Sequence, residues 1–97
     1  MIGVVATMKV KPEQVSAFEE AMRELVEATN RLEPGVTIYK FFRSQKEPTT
    51  YTMMELYSDQ ASLDAHMKSD HFRTIGAKLG PCLTERPQLD RYDHLAG

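Results

Sequence analysis

Tryptophan is absent from this chain, cysteine occurs once and histidine three times in 97 residues. Each scarcity removes a class of explanation. Cys82 alone cannot close an internal disulfide, and without a cysteine pair there is neither a CxxC redox motif nor a cysteine-built zinc site. No apolar run approaches the roughly 20 residues that a membrane-spanning helix needs. Met1 leads straight into β-type sequence with no basic, signal-like apolar stretch, so the expected compartment is a reducing cytoplasm. Twelve Lys and Arg face 14 Asp and Glu, for a formal net charge of -2. No basic cluster interrupts that balance, which leaves a nucleic-acid partner unsupported. A phosphate-cradling glycine loop and a nucleophile elbow are also missing.

What is present is ordinary globular composition, 41% hydrophobic and 27% charged, which argues against disorder. The length fits one domain, residues 1–97, whose thin core would gain from association. Residues 2–10, IGVVATMKV, read as a strand that ends at Lys11-Pro12, where proline suits a first helical turn. From Glu13 to Leu32, Val15, Phe18, Met22, Leu25, Thr29 and Leu32 recur at steps of three and four, the period of one buried helix face. Glu33-Pro34-Gly35 stops this helix: a residue before proline avoids the helical region, and glycine suits the left-handed turn after a helix end.

Residues 36–43 and 51–57 are β-branched and aromatic, and the polar linker containing Pro48 makes them an antiparallel hairpin. Ser58 or Asp59 caps a short helix to about Lys68, and Ser69-Asp70 opens another that carries Phe72, Ile75, Gly76 and Leu79 and ends at Gly80-Pro81. A last strand over about 86–94 places Leu89 and Tyr92 on opposite faces. This order is the ferredoxin-like split βαβ pattern, an α+β fold with a four-stranded antiparallel sheet and helices on one face. The bare face would show either Tyr39 and Phe41 or Val36 and Ile38, an apolar patch that predicts a sheet-to-sheet homodimer.

LDAHMKSDHF, residues 63–72, carries His66 and His71. Five residues apart on one continuous helix, they would diverge by about 140°. A break at Ser69-Asp70 lets both border one cleft. His71, in a first helical turn, is then biased towards the neutral ring that can accept a proton. The bland alternative makes His71 a half-exposed surface residue and His66 a rim residue of the core. A metal set of the two histidines with Glu55 is conceivable, but the spacing is not the usual i, i+4. The expectation is therefore no metal.

EPGVTIYKFFR followed by YTMMELYSDQASLDAHMKSDHF resembles the antibiotic biosynthesis monooxygenase family over nearly the whole chain, most specifically over residues 55–72. The resemblance implies a dimeric α+β barrel. It also implies one of several activities: oxidation of anthrones or quinols without a cofactor, haem degradation, or isomerisation of a small phosphorylated sugar. The haem branch would require an Asn in residues 2–10, a Trp where His66 stands and a histidine at about Gly76, and none is present. The resemblance therefore points to a cofactor-free monooxygenase acting with O2 on a small aromatic quinol or phenol. The alternatives are a proton-transfer isomerase and a domain that binds a small molecule without turnover.

Such chemistry needs a dry pocket, a base and a group that holds the oxyanion. The expected base is His71, with His66 holding the substrate oxygen. Asn30, Tyr51 and Tyr57 are candidates to orient the substrate, Glu55 is a pocket carboxylate of open role, and Arg73 is a lesser candidate for an anionic group. Phe18, Met22, Met53, Met54, Phe72 and Ile75 are candidate walls, each of which could equally be core.

Overall fold

The computed structural model describes Met1–Gly97. In chain order the elements are β1 (Ile2–Lys9), α1 (Val15–Leu32), β2 (Val36–Arg43), β3 (Thr50–Tyr57), α2 (Gln60–Lys68), α3 (Asp70–Leu79) and β4 (Gln88–Asp93). The strands form one antiparallel sheet in the order β2-β3-β1-β4, the topology expected of the ferredoxin-like pattern. Pro12 lies in a short 3-10 turn, Pro12–Gln14, that leads into α1. Phe18, Ala21, Met22, Leu25, Ala28 and Thr29 form the buried face of α1, and burial of a residue such as Leu25 or Phe18 contributes about 1.5–3 kcal/mol. Leu32 is exposed, because the helix ends there and the chain turns away towards β2.

Register fixes which residues look at the helices. Val4, Ala6 and Met8 of β1 pair with Glu55, Met53 and Tyr51 of β3, and Tyr39 and Phe41 of β2 pair with Glu55 and Met53. Paired residues share a face, so all of these point inward. A register shift between Val36 and Ile38 lets Val36 be buried as well, while Ile38, Lys40 and Phe42 turn outward with Val5, Met54 and Leu56. Leu89 faces inward opposite Ala6, and Tyr92 outward opposite Gly3. Of the two expected phases for the bare face, only Ile38 stands on it.

The helical break is real. Asp59 caps α2 by accepting from Ser62 N, Ser69 is extended, and its Oγ caps α3 by accepting from Phe72 N. Gly35 is required for a reason other than a left-handed turn, since no glycine but the terminal Gly97 has positive φ. A Cβ on Gly35 would lie 2.3 Å from Ser62 Oγ and 2.8 Å from Ser62 Cβ, so α2 packs directly on the backbone that follows Pro34. That contact sets how deeply α2 lies.

Candidate functional site

Glu33 is the C-cap of α1, its N–H donating to Thr29 O. This position points its side chain at the α2–α3 break. Glu33 Oε2 lies 2.8 Å from His66 Nδ1 and 2.5 Å from His71 Nε2. Glu33 and His71 are about one-eighth exposed, and the His66 side chain is 1% exposed. The break thus brings the two histidines together, but on one carboxylate oxygen rather than around one opening. Ser69 holds the arrangement: its Oγ donates to His66 O at 2.7 Å and lies 3.3 Å from His71 Nε2.

An ionised carboxylate offers only acceptors. With Glu33 in that state, His66 carries its proton on Nδ1, and the lone pair of Nε2, which bonds to no protein group, is available. Burial pushes the His66 pKa below the ordinary histidine value; the Glu33 bond and charge oppose this, and His71 adds to it. The ring is a neutral base at neutral pH. It lies edge-on to Tyr39, with centroids 5.0 Å apart, and 4.8 Å from Phe72.

His66 lines a cavity of about 400 Å³ between sheet and helices, together with Tyr39, Met53, Glu55, Met22 and Phe72. Most of the remaining lining is apolar, and Arg91 stands at the β4 side. Burial raises the Glu55 pKa against the opposing Tyr57 bond; Tyr57 Oη donates to Glu55 Oε1 at 2.5 Å. Burial, reinforced by the charge of Glu55 and then of Glu33, raises Tyr39, while the Thr29 hydroxyl opposes the rise without reaching hydrogen-bond geometry. Burial, followed by Glu55, raises Tyr57 too. Both phenols therefore stay protonated.

Of the residues singled out from sequence, His66, Glu55, Met22, Met53 and Phe72 line this cavity, and Tyr57 reaches it through Glu55. His71 backs it through Glu33. Met54 lies on the opposite face of the sheet and is exposed, because β3 alternates and Met53 takes the inward place. Phe18 and Ile75 are core; Phe18 packs on Tyr51 and Phe41 at 5.0 and 5.9 Å. Tyr51 Oη donates to Glu19 at 2.6 Å, beside Arg43, at a separate polar hollow. Asn30 ties α1 to β2 by a 3.4 Å bond to Tyr39 O and does not reach the cavity.

Glu33 as a site residue, Tyr39 as a cavity residue, and Arg91 are not among the candidates evident in the sequence. The first two stand in the segment EPGVTIY: stopping a helix does not require an acid before Pro-Gly, and that excess charge was the available signal. Glu33, rather than Glu55, is the carboxylate that joins the histidines, and the ligand atoms of Glu33, His66 and His71 lie within 4.8 Å of one another. This is a donor set of metal-binding type, although an ion would have to displace both hydrogen bonds. No helix is long and apolar enough to cross a membrane.

Residues 1–78 match the family described as "Antibiotic biosynthesis monooxygenase". A Bacillus subtilis protein, "Putative monooxygenase YcnE", is 35% identical over 78 residues, covering 80% of this chain and 81% of its own. A Synechocystis protein described as uncharacterised is 29% identical over 91 residues; the match covers 94% of this chain but only 61% of that longer relative. A Caulobacter crescentus crystal structure, described as a "putative antibiotic biosynthesis monooxygenase", superposes with TM-score 0.95 at 35% identity, covering 98% of this chain and 90% of that one.

Proposed function

Because the chain belongs to the antibiotic biosynthesis monooxygenase family, we propose that it is a cofactor-independent monooxygenase of a small aromatic quinol or phenol, with His66 as the base. The observation that carries this reading is a buried neutral histidine, oriented by Glu33, on a mainly apolar cavity. His66 Nε2 takes the proton of a substrate hydroxyl, and Glu33 stabilises the imidazolium through Nδ1–H. Tyr39, held protonated, donates to the phenolate oxygen.

The electron-rich phenolate passes one electron to O2, and the radical pair combines to a carbon–oxygen bond. The resulting peroxide anion takes the proton back from His66, and the hydroperoxide then loses its outer oxygen as water together with the hydrogen of the oxygenated ring carbon. For a naphthohydroquinone with a free ring position, quinol plus O2 gives hydroxyquinone plus H2O: one oxygen atom enters the ring, and the other leaves with two substrate hydrogens. The apolar lining supports this reading over proton transfer on a polar carbonyl compound, since a dry site protects the radical pair and strengthens its hydrogen bonds.

His71 acts here through Glu33, sharing its oxygen and fixing its position, in place of the base role expected from its helix-start position. The working form is a homodimer. Ile38, Phe42, Met54 and Tyr92 are exposed on the outer sheet face, and two such faces in contact would cover them. The test is oxygen uptake with a naphthohydroquinone by protein free of flavin and metal. Uptake above the spontaneous rate, lost in His66→Asn, supports the reading; no acceleration across a panel of quinols and phenols removes it.

A further inference from the structure

Arg91 is the one cation on the cavity wall. It faces inward from β4, opposite Val4, whose other neighbour is Glu55 on β3. Strands lie 4.7–4.9 Å apart, so Arg91 stands about 10 Å across the sheet from Glu55, whose strand neighbour Tyr57 has its ring centroid 5.6 Å from that of His66. Arg23, Arg31 and Arg43 each have a glutamate partner; Arg91, exposed like the rest of its strand end, shares with Arg73 and Arg86 the absence of an ion-pair partner, and of these three it alone lies on the cavity wall. Around it the wall is apolar: Val4, Ala6, Leu83, Pro87 and Leu89. Leu89, two residues before Arg91 on the same face of β4, and Met67 of α2 also line the cavity and, both about half exposed, form part of its rim.

We propose that Arg91 selects an acidic substrate: an aromatic body fills the cavity with its hydroxyl at His66, and a carboxylate at its far end pairs with Arg91 at the mouth. This rests on the reading of the cavity as the quinol or phenol site and adds the substrate's charge. The planar guanidinium offers two parallel N–H donors that match a carboxylate. A ligand that covers the rim also removes water from that pair, which makes it stronger than a surface ion pair. Glu55, partly buried on the same wall, disfavours a carboxylate at the inner end, which the neutral hydroxyl enters instead, and so sets the orientation.

The test is equilibrium binding under nitrogen, where no oxygenation can occur, of 6-hydroxy-2-naphthoate and its methyl ester, read by naphthol fluorescence. These probes carry the hydroxyl and the acid at opposite ends of a rigid bicycle. The wild-type protein should bind the acid about 10- to 100-fold more tightly than the ester, the range expected of one charge-assisted pair. Arg91→Gln should abolish that preference while leaving the ester's Kd unchanged, which also shows that the variant is folded; Arg91→Lys should keep part of it. Equal affinity for acid and ester in the wild type, or a preference that survives Arg91→Gln, overturns the proposal. Saturable binding of neither probe up to 1 mM also overturns it. Acid-selective binding without any quinol turnover would leave Arg91's role standing and remove the oxygenase reading; turnover of neutral quinols without acid preference would do the reverse.

Discussion

Glu33→Gln replaces one carboxylate oxygen with an amide nitrogen and should disable the site. Glutamine keeps the volume, but one of its two terminal atoms is a donor, whereas both ring nitrogens now face a single acceptor oxygen at 2.8 and 2.5 Å. If the amide NH2 faces His66, the ring must accept at Nδ1, and its proton moves to Nε2, where the substrate needs a lone pair. If the amide oxygen faces His66, the tautomer survives but the imidazolium loses its counter-charge. Two unit charges 4 Å apart at an effective dielectric of 20 interact by about 4 kcal/mol, an upper bound for that loss. General-base contributions of 10²–10⁴ set the scale from the other side. We expect kcat/KM to fall by about 10²- to 10³-fold, measured by oxygen uptake with a naphthohydroquinone. The Glu33 bond and charge raise the His66 pKa, so the acid limb of the pH–rate profile should also move to lower pH, which a purely structural defect would not cause. Thermal melting should show a loss of about 1–3 kcal/mol, because glutamine retains one of the bonds. A rate within threefold of wild type, or an acid limb that moves up, would refute the role assigned to Glu33.

The folded-state pKa of His66 is lowered from 6.5, so its contribution to stability is complete above that pH and is lost as the unfolded chain takes up a proton that the native ring resists. Denaturant midpoints should fall as pH drops below 6.5, and His66→Asn, which retains a donor to Glu33 but cannot titrate, should flatten that slope; an unchanged slope contradicts the assignment. Gly35→Ala should destabilise the fold by about 1–3 kcal/mol through overpacking against Ser62, and Ser62→Gly in the same chain should restore most of it; a neutral Gly35→Ala by thermal melting would show that α2 does not bear on that backbone. Phe42→Asp, repeated by two-fold symmetry across the outer sheet face, should convert a dimer to a monomer by light scattering at micromolar concentration; a wild-type monomer, or a dimer unmoved by the change, sinks the sheet-to-sheet assembly.

The framework was legible because its signals are local and periodic. The α1 face repeats at helical spacing, Pro34 marks a stop, and Ser69-Asp70 is a cap signature that the structure turns into the break between α2 and α3. The break is what makes a shared site for His66 and His71 possible. Their roles were not legible, because the residue that joins them is Glu33, 33 and 38 positions away, and only tertiary packing brings that distance to a hydrogen bond. Met54 was placed on the wrong side for a related reason: Met53 and Met54 are chemically alike, and only strand register says which one faces the helices. Tyr51 and Tyr57 occupy the same inward face, yet one bonds Glu19 outside the cavity and the other Glu55 within it. Arg91 escaped notice because an arginine on a terminal edge strand is ordinary in sequence and distinctive only when its neighbours on the wall are seen to be apolar.

If a histidine base in an apolar cavity directs O2 into the substrate, isotope labelling will follow the oxygen atom itself. A naphthohydroquinone is turned over under 18O2 by protein stripped of metal and flavin, and the product is analysed by mass. Hydroxyquinone carrying one 18O atom at the new position is expected, with water rather than hydrogen peroxide as the other product, and with this product lost in His66→Asn. Unlabelled quinone formed with stoichiometric hydrogen peroxide, at the same rate in both proteins, would contradict it.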